Sequence, residues 1–287
     1  MADSPLALLQ ELLEPQLTAE QHAWLARERG ADVAVRDRAF TLAPRRVGRE
    51  ALPIGPAERR QAEALRPGWR LHGLTRDDAA RLILLLDLPS DHQTSLFGDL
   101  CVGADLRESL VLYRGLPLYA ADPAVLISQA RKGLRSNVVG TFVAIAHHSP
   151  FAHEQFDTGT WNQMVLKALF IGVALWPIQA LDARANPELK RMLIDYARER
   201  RAAGRSVPAE LWRGVGPAAT AADIDDLLLA LRSDATDERE AAALALAACP
   251  VDGAGAELER EAPELSAAIA AGQLAYRREE EVIDGCA

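Results

Sequence analysis

The amino-acid sequence predicts an all-α protein, built as a helical-hairpin stack or an α-α superhelix. Three observations predict this class. Alanine and leucine, both strong helix formers, dominate the chain, and apolar residues recur at helical spacing along most of it. The chain also lacks the runs of β-branched residues that a parallel sheet requires. Hydrophobic residues make up 49% of the 287 residues, which is enough to form a sizeable core.

Capping boxes mark two helix starts, at Thr18 with Gln21 and at Thr75 with Asp78. Prolines mark several helix ends, because proline cannot continue a helix. The segment 41–56 is rich in Pro, Gly and Arg, which predicts a loop. Together with the apolar periodicity, these signals predict helices over residues 6–13, 18–30, 31–40, 79–86, 93–101, 105–113, 122–134, 136–147 and 187–203.

The sequence predicts two domains, 1–217 and 218–287, because the pattern of residues changes after the Gly/Pro-rich segment that ends at Pro217. Residues 221–249 form a predicted helix pair, and the second helix is rich in alanine. Small residues at this spacing let two helices approach closely. The pair resembles one unit of a HEAT-type repeat, and an ordinary alanine-rich hairpin is an equally good interpretation.

Composition excludes several classes of protein. The net charge of −9 gives no general attraction for nucleic acid. Cys101, Cys249 and Cys286 are too far apart for a metal finger, and their sparse number fits a reducing compartment. The longest apolar run, residues 164–177, is interrupted by Lys167 and is too short to span a bilayer. The N-terminus also lacks the pattern of a signal peptide, so we expect a cytoplasmic protein with no transmembrane segment.

The helix that begins near Trp161 is the strongest candidate for a functional site. It carries Asn162, Gln163 and Lys167 among apolar residues, and Thr158 or Thr160 is expected to cap it. Burying polar groups without partners costs a few kcal/mol. The helix is expected to be largely buried, and its polar groups to form either a structural network or the floor of a ligand pocket. The expected partners of Lys167 are Asp157, Asp182 and Asp195.

The histidines suggest a metal site only weakly. His147, His148 and His153 are close in sequence, but Pro150 separates the last from the others, and adjacent residues of a helix point apart. The chain has no HExxH motif, phosphate loop or nucleophile elbow. We therefore expect no metal and no cofactor.

Longer strings identify a family. The chain resembles the EboA family, which is encoded in bacterial Ebo gene clusters, over about residues 120–217 and more loosely over the N-terminal half. The family's usual Asn-Pro-Tyr is Ser149-Pro150-Phe151 here, and the family lacks the histidine cluster. The resemblance rests on Arg135-Ser-Asn137, Pro150-Phe151, Phe156-Asp157, the segment from Trp161 to Phe170, Leu181-Asp182 with Arg184-Ala-Asn186, the segment from Asp195 to Arg200, and Glu210-Leu-Trp212.

The resemblance implies a role in the traffic of secondary-metabolite precursors. Neighbouring genes of such clusters look like a prenyltransferase, a sugar-phosphate cyclase, hydrolases and a TIM-barrel protein. The leading hypothesis is therefore a non-catalytic helical adaptor or ligand-binding protein. Its expected partners are other Ebo-cluster proteins and a small prenylated or cyclitol metabolite. The candidate ligand-binding residues are Arg135, Asn137, Asp157, Trp161, Asn162, Lys167, Asp182, Arg184 and Asn186.

Two alternatives stay open at this point. One is an enzyme that acts on a cyclitol or prenylated intermediate, with Asp157, Lys167 and Asp182 as acid and base groups. The other is a metal-dependent hydrolase that uses the histidines.

Overall fold

The computed structural model describes residues 2–71 and 73–277, which divide into two compact units between Phe156 and Asp157. Within these residues there are sixteen α-helices and four short 3-10 helices, and the only β-type pairing is an isolated bridge between Ala51 and Thr75. The predicted all-α class is confirmed. The predicted domain boundary after residue 217 falls inside the second unit and stays a prediction.

In its described residues, 2–71 and 73–156, the first unit contains ten α-helices and one 3-10 helix, Glu14–Gln16. Both predicted capping boxes form. At the first, the Thr18 hydroxyl accepts a hydrogen bond from the backbone amide of Gln21 at 3.3 Å. At the second, the Asp78 carboxylate accepts from the backbone amide of Thr75 at 3.3 Å. The helices α4 and α10 were not predicted from the sequence. The helices are α1 (Pro5–Leu13), α2 (Ala19–Arg29), α3 (Val33–Val47), α4 (Pro56–Leu65), α5 (Arg76–Leu86), α6 (Ser90–Gly103), α7 (Leu106–Arg114), α8 (Pro123–Arg135), α9 (Val139–Ala146) and α10 (Phe151–Gln155).

The core of the first unit forms around α5. Every residue from Asp77 to Leu85 is buried, as expected for a helix that is surrounded by others. It packs against α1, α3, α6 and α7, and most of its buried side chains are apolar. The exceptions include Arg81, which is 2% exposed and pairs with Asp77 at 3.0 Å and with Glu108 at 3.6 Å.

The prediction of a loop over residues 41–56 is wrong in its first half, because α3 continues to Val47 with Pro44 inside it. Proline has no amide hydrogen, so Pro44 cannot donate to the carbonyl of Phe40, four residues earlier. Arg81 supplies the missing donor, since its Nε lies 2.9 Å from the Phe40 oxygen. A contact between distant residues therefore keeps the helix intact where the local sequence predicted a break.

The second unit contains six α-helices within the described residues, with three 3-10 helices before α13. Trp161 and Trp212 are completely buried in its core. The 3-10 helices are Ala209–Gly214, Gly216–Ala218 and Ala221–Asp223, and the α-helices are α11 (Thr158–Ile171), α12 (Pro187–Ala202), α13 (Ile224–Leu231), α14 (Thr236–Ala247), α15 (Ala254–Glu261) and α16 (Pro263–Ala270).

The predicted helix pair is present as α13 and α14, which pack against each other. The 3-10 helix Gly216–Ala218 approaches α14 closely, since a Cβ on Gly216 would lie 2.6 Å from the backbone oxygen of Ala245. The HEAT-like character of the pair is not established by this geometry and stays a prediction. Residues 278–287 of the predicted C-terminal domain lie outside the described part of the chain.

Candidate functional site

Asp157 is the N-cap of α11. Its Oδ1 accepts a hydrogen bond from the backbone amide of Thr160 at 2.6 Å, so the prediction that Thr158 or Thr160 caps this helix is wrong. A carboxylate suits this position because it satisfies a free amide and carries a negative charge at the positive end of the helix. Asp157 is exposed, and its carboxylate has a structural role.

Asn162 and Asn186 join α11 to the start of α12 through two reciprocal amide hydrogen bonds of 2.9 and 3.2 Å. Asn162 is 1% exposed. Asn186 also caps α12, because its Oδ1 accepts from the Leu189 amide at 2.9 Å, and it donates to the Arg184 carbonyl at 3.0 Å. These two predicted site residues thus meet in an interhelical contact.

Arg184 lies over the face of Trp161, with 4.6 Å between the guanidinium carbon and the ring centroid. This is within the range of a cation–π interaction. Burial lowers the pKa of Arg184, and the negative charge of Asp157 partly opposes this shift. Asp157, Trp161, Asn162, Arg184 and Asn186 therefore form one cluster at the N-terminal end of α11.

The opposite face of α11 is directed to solvent. Gln163 is exposed, Lys167 is half-buried, and Phe170 is 75% exposed, although the sequence analysis counted Phe170 among the apolar residues of a largely buried helix. The three residues are spaced by four and three positions, which places them on one side of the helix. The buried side consists of Trp161, Asn162, Met164, Val165, Ala168 and Leu169.

Asp182 is paired with Arg213. Both carboxylate oxygens accept from the guanidinium, at 2.6 and 2.8 Å, in the bidentate geometry that arginine favours. Burial lowers the pKa of Arg213, but the hydrogen bonds and charge of Asp182 more than offset this and leave the pKa raised. The Arg213 side chain is 8% exposed, whereas that of Asp182 is 44% exposed.

The sequence analysis did not identify Arg213 or Glu210 as site residues. The Glu210 carboxylate accepts from the backbone amides of Leu175 at 2.7 Å and Trp176 at 3.0 Å. A signal was present in the sequence, because Glu210 and Arg213 flank Leu211 and Trp212, which are fully buried. Glu210, Asp182 and Asn186 together attach the segment 172–186 to the second unit at three points.

Arg135 and Asn137 belong to the first unit. Arg135 is the last residue of α8, Asn137 follows in a turn, and both are exposed. Arg135 lines a shallow groove along α8 together with Arg131, Ser128, Ile127 and Ala124.

The histidines lie in the first unit as well. His147 and His148 line one cavity of about 60 Å³, although adjacent residues were expected to point apart. The expectation does not hold because α9 ends at Ala146 and His148 adopts a left-handed backbone conformation, with φ of 55°. A search of residues 2–71 and 73–277 finds no group of three or more His, Cys, Asp or Glu side chains placed to hold a metal ion.

A family model described as metabolite traffic protein EboA matches residues 6–216, well over half of the chain. The chain belongs to the EboA family. The resemblance predicted from the sequence is therefore confirmed, and the family name indicates a role in metabolite traffic. None of the curated proteins and none of the solved structures with which the chain was compared matches it.

The EboA match includes every predicted site residue and ends just after Arg213 and Glu210. It leaves α13 to α16 outside. Among the described helices, none is long and apolar enough to cross a membrane.

Proposed function

We propose that the protein is a non-catalytic helical adaptor that supports the traffic of secondary-metabolite precursors together with other Ebo-cluster proteins. The observation that carries this proposal is the division of α11 into two faces. Its buried face is bonded into the second unit through Asn162 and Trp161, while its outer face presents Gln163, Lys167 and Phe170. A rigid helix with an exposed aromatic residue beside a cation is suited to contact a partner.

The hydrogen bonds of the Asp157 and Asp182 carboxylates favour this proposal over the enzyme hypothesis. A general acid or base must reach the proton that it transfers. Asp157 is occupied as a helix cap and Asp182 as the bidentate partner of Arg213. Both groups have structural roles that would suffer if they changed protonation state during a reaction cycle.

The ligand-binding role predicted for the nine residues from Arg135 to Asn186 is kept as part of the proposal. Within this set, we assign Asn162, Asn186 and Asp182 to positioning, because their polar atoms are bonded to other protein groups. We propose that Lys167, which lies on the outer face of α11 with Gln163 and Phe170, contacts a partner or a small prenylated or cyclitol metabolite. We also propose a cytoplasmic location.

The test is co-purification of the tagged chain with the other proteins of its gene cluster. Phe170→Ser should reduce the recovered partner at least about tenfold, as expected when an aromatic anchor is lost. Leu229→Ser is the matched control, since Leu229 is 53% exposed on α13 and lies outside the family match. Equal recovery with both variants would argue against the α11 surface.

A second measurement separates the adaptor from the enzyme. The purified protein is incubated with extracts of cells that carry the cluster. The amount of any metabolite consumed should not exceed the amount of protein added. If an intermediate is turned over, and Asp157→Asn or Asp182→Asn abolishes that turnover while the protein stays folded, the enzyme hypothesis replaces the proposal.

A further inference from the structure

The described residues that line the cavity beside His147 and His148 all belong to the first unit. Its walls come from the segment after α4, from α5, from α7, and from the end of α9 with the turn that follows. Trp69 and Leu82 supply buried apolar surface, while Arg70, Arg114, His147 and His148 supply nitrogen-bearing side chains. An apolar wall with a few convergent polar groups is the usual composition of a small-molecule site.

Two of the side chains that line this cavity, Arg70 and Arg114, carry a guanidinium, and each lies beside a carboxylate. The carboxylate of Glu63 pairs with Arg70. Arg114 is only loosely paired, since its Nη1 lies 3.8 Å from Asp78 Oδ2, and among the described residues its guanidinium has no hydrogen-bond acceptor. Burial and the nearby charge of Asp77 raise the pKa of Asp78.

The backbone at His148 supports a functional role for this turn. A left-handed conformation costs a residue with a side chain about 1 kcal/mol or more, and glycine is the usual residue there. His148 nevertheless has φ of 55°, and its ring lies 6.0 Å from the ring of His147 at an interplanar angle of 83°. This left-handed turn allows the imidazoles of two consecutive residues to line the same cavity.

We propose that this cavity binds the phosphoryl group of a small phosphate monoester, with Arg114, His147 and His148 around the phosphoryl oxygens and the organic part extending out of the cavity. The volume of about 60 Å³ has room for roughly four to six water-sized groups, which matches the five heavy atoms of a phosphoryl group with its ester oxygen. Arginine and histidine donors suit such an anion. The proposal does not depend on the α11 surface, which lies in the other unit.

The experiment is isothermal titration calorimetry of the full chain with phenyl phosphate, inorganic phosphate and, at matched ionic strength, sodium chloride. Phenyl phosphate should bind more tightly than inorganic phosphate because its ring adds contact with the apolar wall. Chloride should not bind measurably. Equal affinities for the two phosphates would overturn the assignment to a monoester, and no binding of either would overturn the site.

Two variants test the residues. His148→Gly removes the imidazole and keeps the backbone, because glycine adopts a positive φ without strain. Arg114→Gln removes the loosely paired cation. Each should raise the Kd for phenyl phosphate at least about tenfold, the loss expected for one charge-assisted hydrogen bond.

Ala180→Gly is the matched control, because Ala180 has φ of 58° and lies in the second unit. It should leave the Kd unchanged. Thermal unfolding confirms that each variant is folded before titration. A Kd that is unchanged in both His148→Gly and Arg114→Gln, or that rises equally in Ala180→Gly, would contradict the proposed site.

Discussion

The amide pair of Asn162 and Asn186 should stabilise the second unit by an amount that follows from its hydrogen bonds. Asn162→Ala removes two bonds, and each contributes about 1 kcal/mol net. Asn186 keeps its bonds with Leu189 and Arg184, so its amide is not left without partners. We therefore expect Asn162→Ala to lower the free energy of unfolding by about 2 kcal/mol.

Asn186→Ala should cost more than Asn162→Ala. It removes the same two bonds, the bond to the Arg184 carbonyl and the cap of α12, and each contributes about 1 kcal/mol, for a total of about 4 kcal/mol. The double variant should cost about 4 kcal/mol as well, because the shared bonds can be lost only once. The interaction energy in the double-mutant cycle is therefore about 2 kcal/mol.

Urea unfolding followed by circular dichroism measures these free energies, and hydrogen exchange of the α11 and α12 amides localises the change to the second unit. Gln163→Ala is the control, since Gln163 is the exposed neighbour of Asn162 and its loss should change stability by less than about 0.5 kcal/mol. If the cost of the double variant equals the sum of the two single costs, the interaction energy is near zero and the two amides do not stabilise each other. In that case the amides would be available to a ligand.

Three further outcomes follow from polar groups that are wholly or partly buried. Arg81→Met should lower the free energy of unfolding by about 3–5 kcal/mol in urea titrations, and adding Pro44→Ala should recover about 1 kcal/mol by restoring an amide donor. Although burial raises the pKa of Asp223, hydrogen bonds from Lys190 and Thr220 leave it below the ordinary 3.8. Lys190→Met should therefore cost about 1–2 kcal/mol at pH 7, and this cost should shrink only as the pH falls below about 4. Burial raises the pKa of Cys101 to about 12, so iodoacetamide at pH 8 should label it at least about a hundredfold more slowly in the native protein than in urea.

Helix starts were the best-predicted feature of the fold, because their signals are local. The capping box at Thr18 and the Asp78 cap at Thr75 form where the sequence indicates. The continuation of α3 past Phe40 could not be predicted, because it depends on a donor from Arg81, forty-one residues away in sequence. Composition alone indicated a loop there.

The sequence indicated which residues lie near α11 better than it indicated which of them pair with one another. Trp161, Asn162, Arg184 and Asn186 do lie together, as the polar groups of an apolar helix suggested. Their pairing with one another, and the pairing of Asp182 with Arg213, depend on how the segment 172–186 folds back. No periodicity describes such a segment, so the sequence could not show which acceptor meets which donor.

Side-chain hydrogen bonds within the second unit hold the segment 172–186 in one conformation. Fifteen residues without helix or strand separate α11 from α12, and connections of this length in compact proteins are usually functional or disordered. This one is held by Glu210 near its start, by Asp182 near its middle and by Asn186 at its end. Three of the strings that carry the resemblance, from Trp161 to Phe170, from Leu181 to Asn186 and from Glu210 to Trp212, therefore contribute residues that fix this irregular segment beside α11. Since fixing a backbone costs conformational entropy, three such attachments favour a role that needs this segment in one defined shape, as a binding surface does.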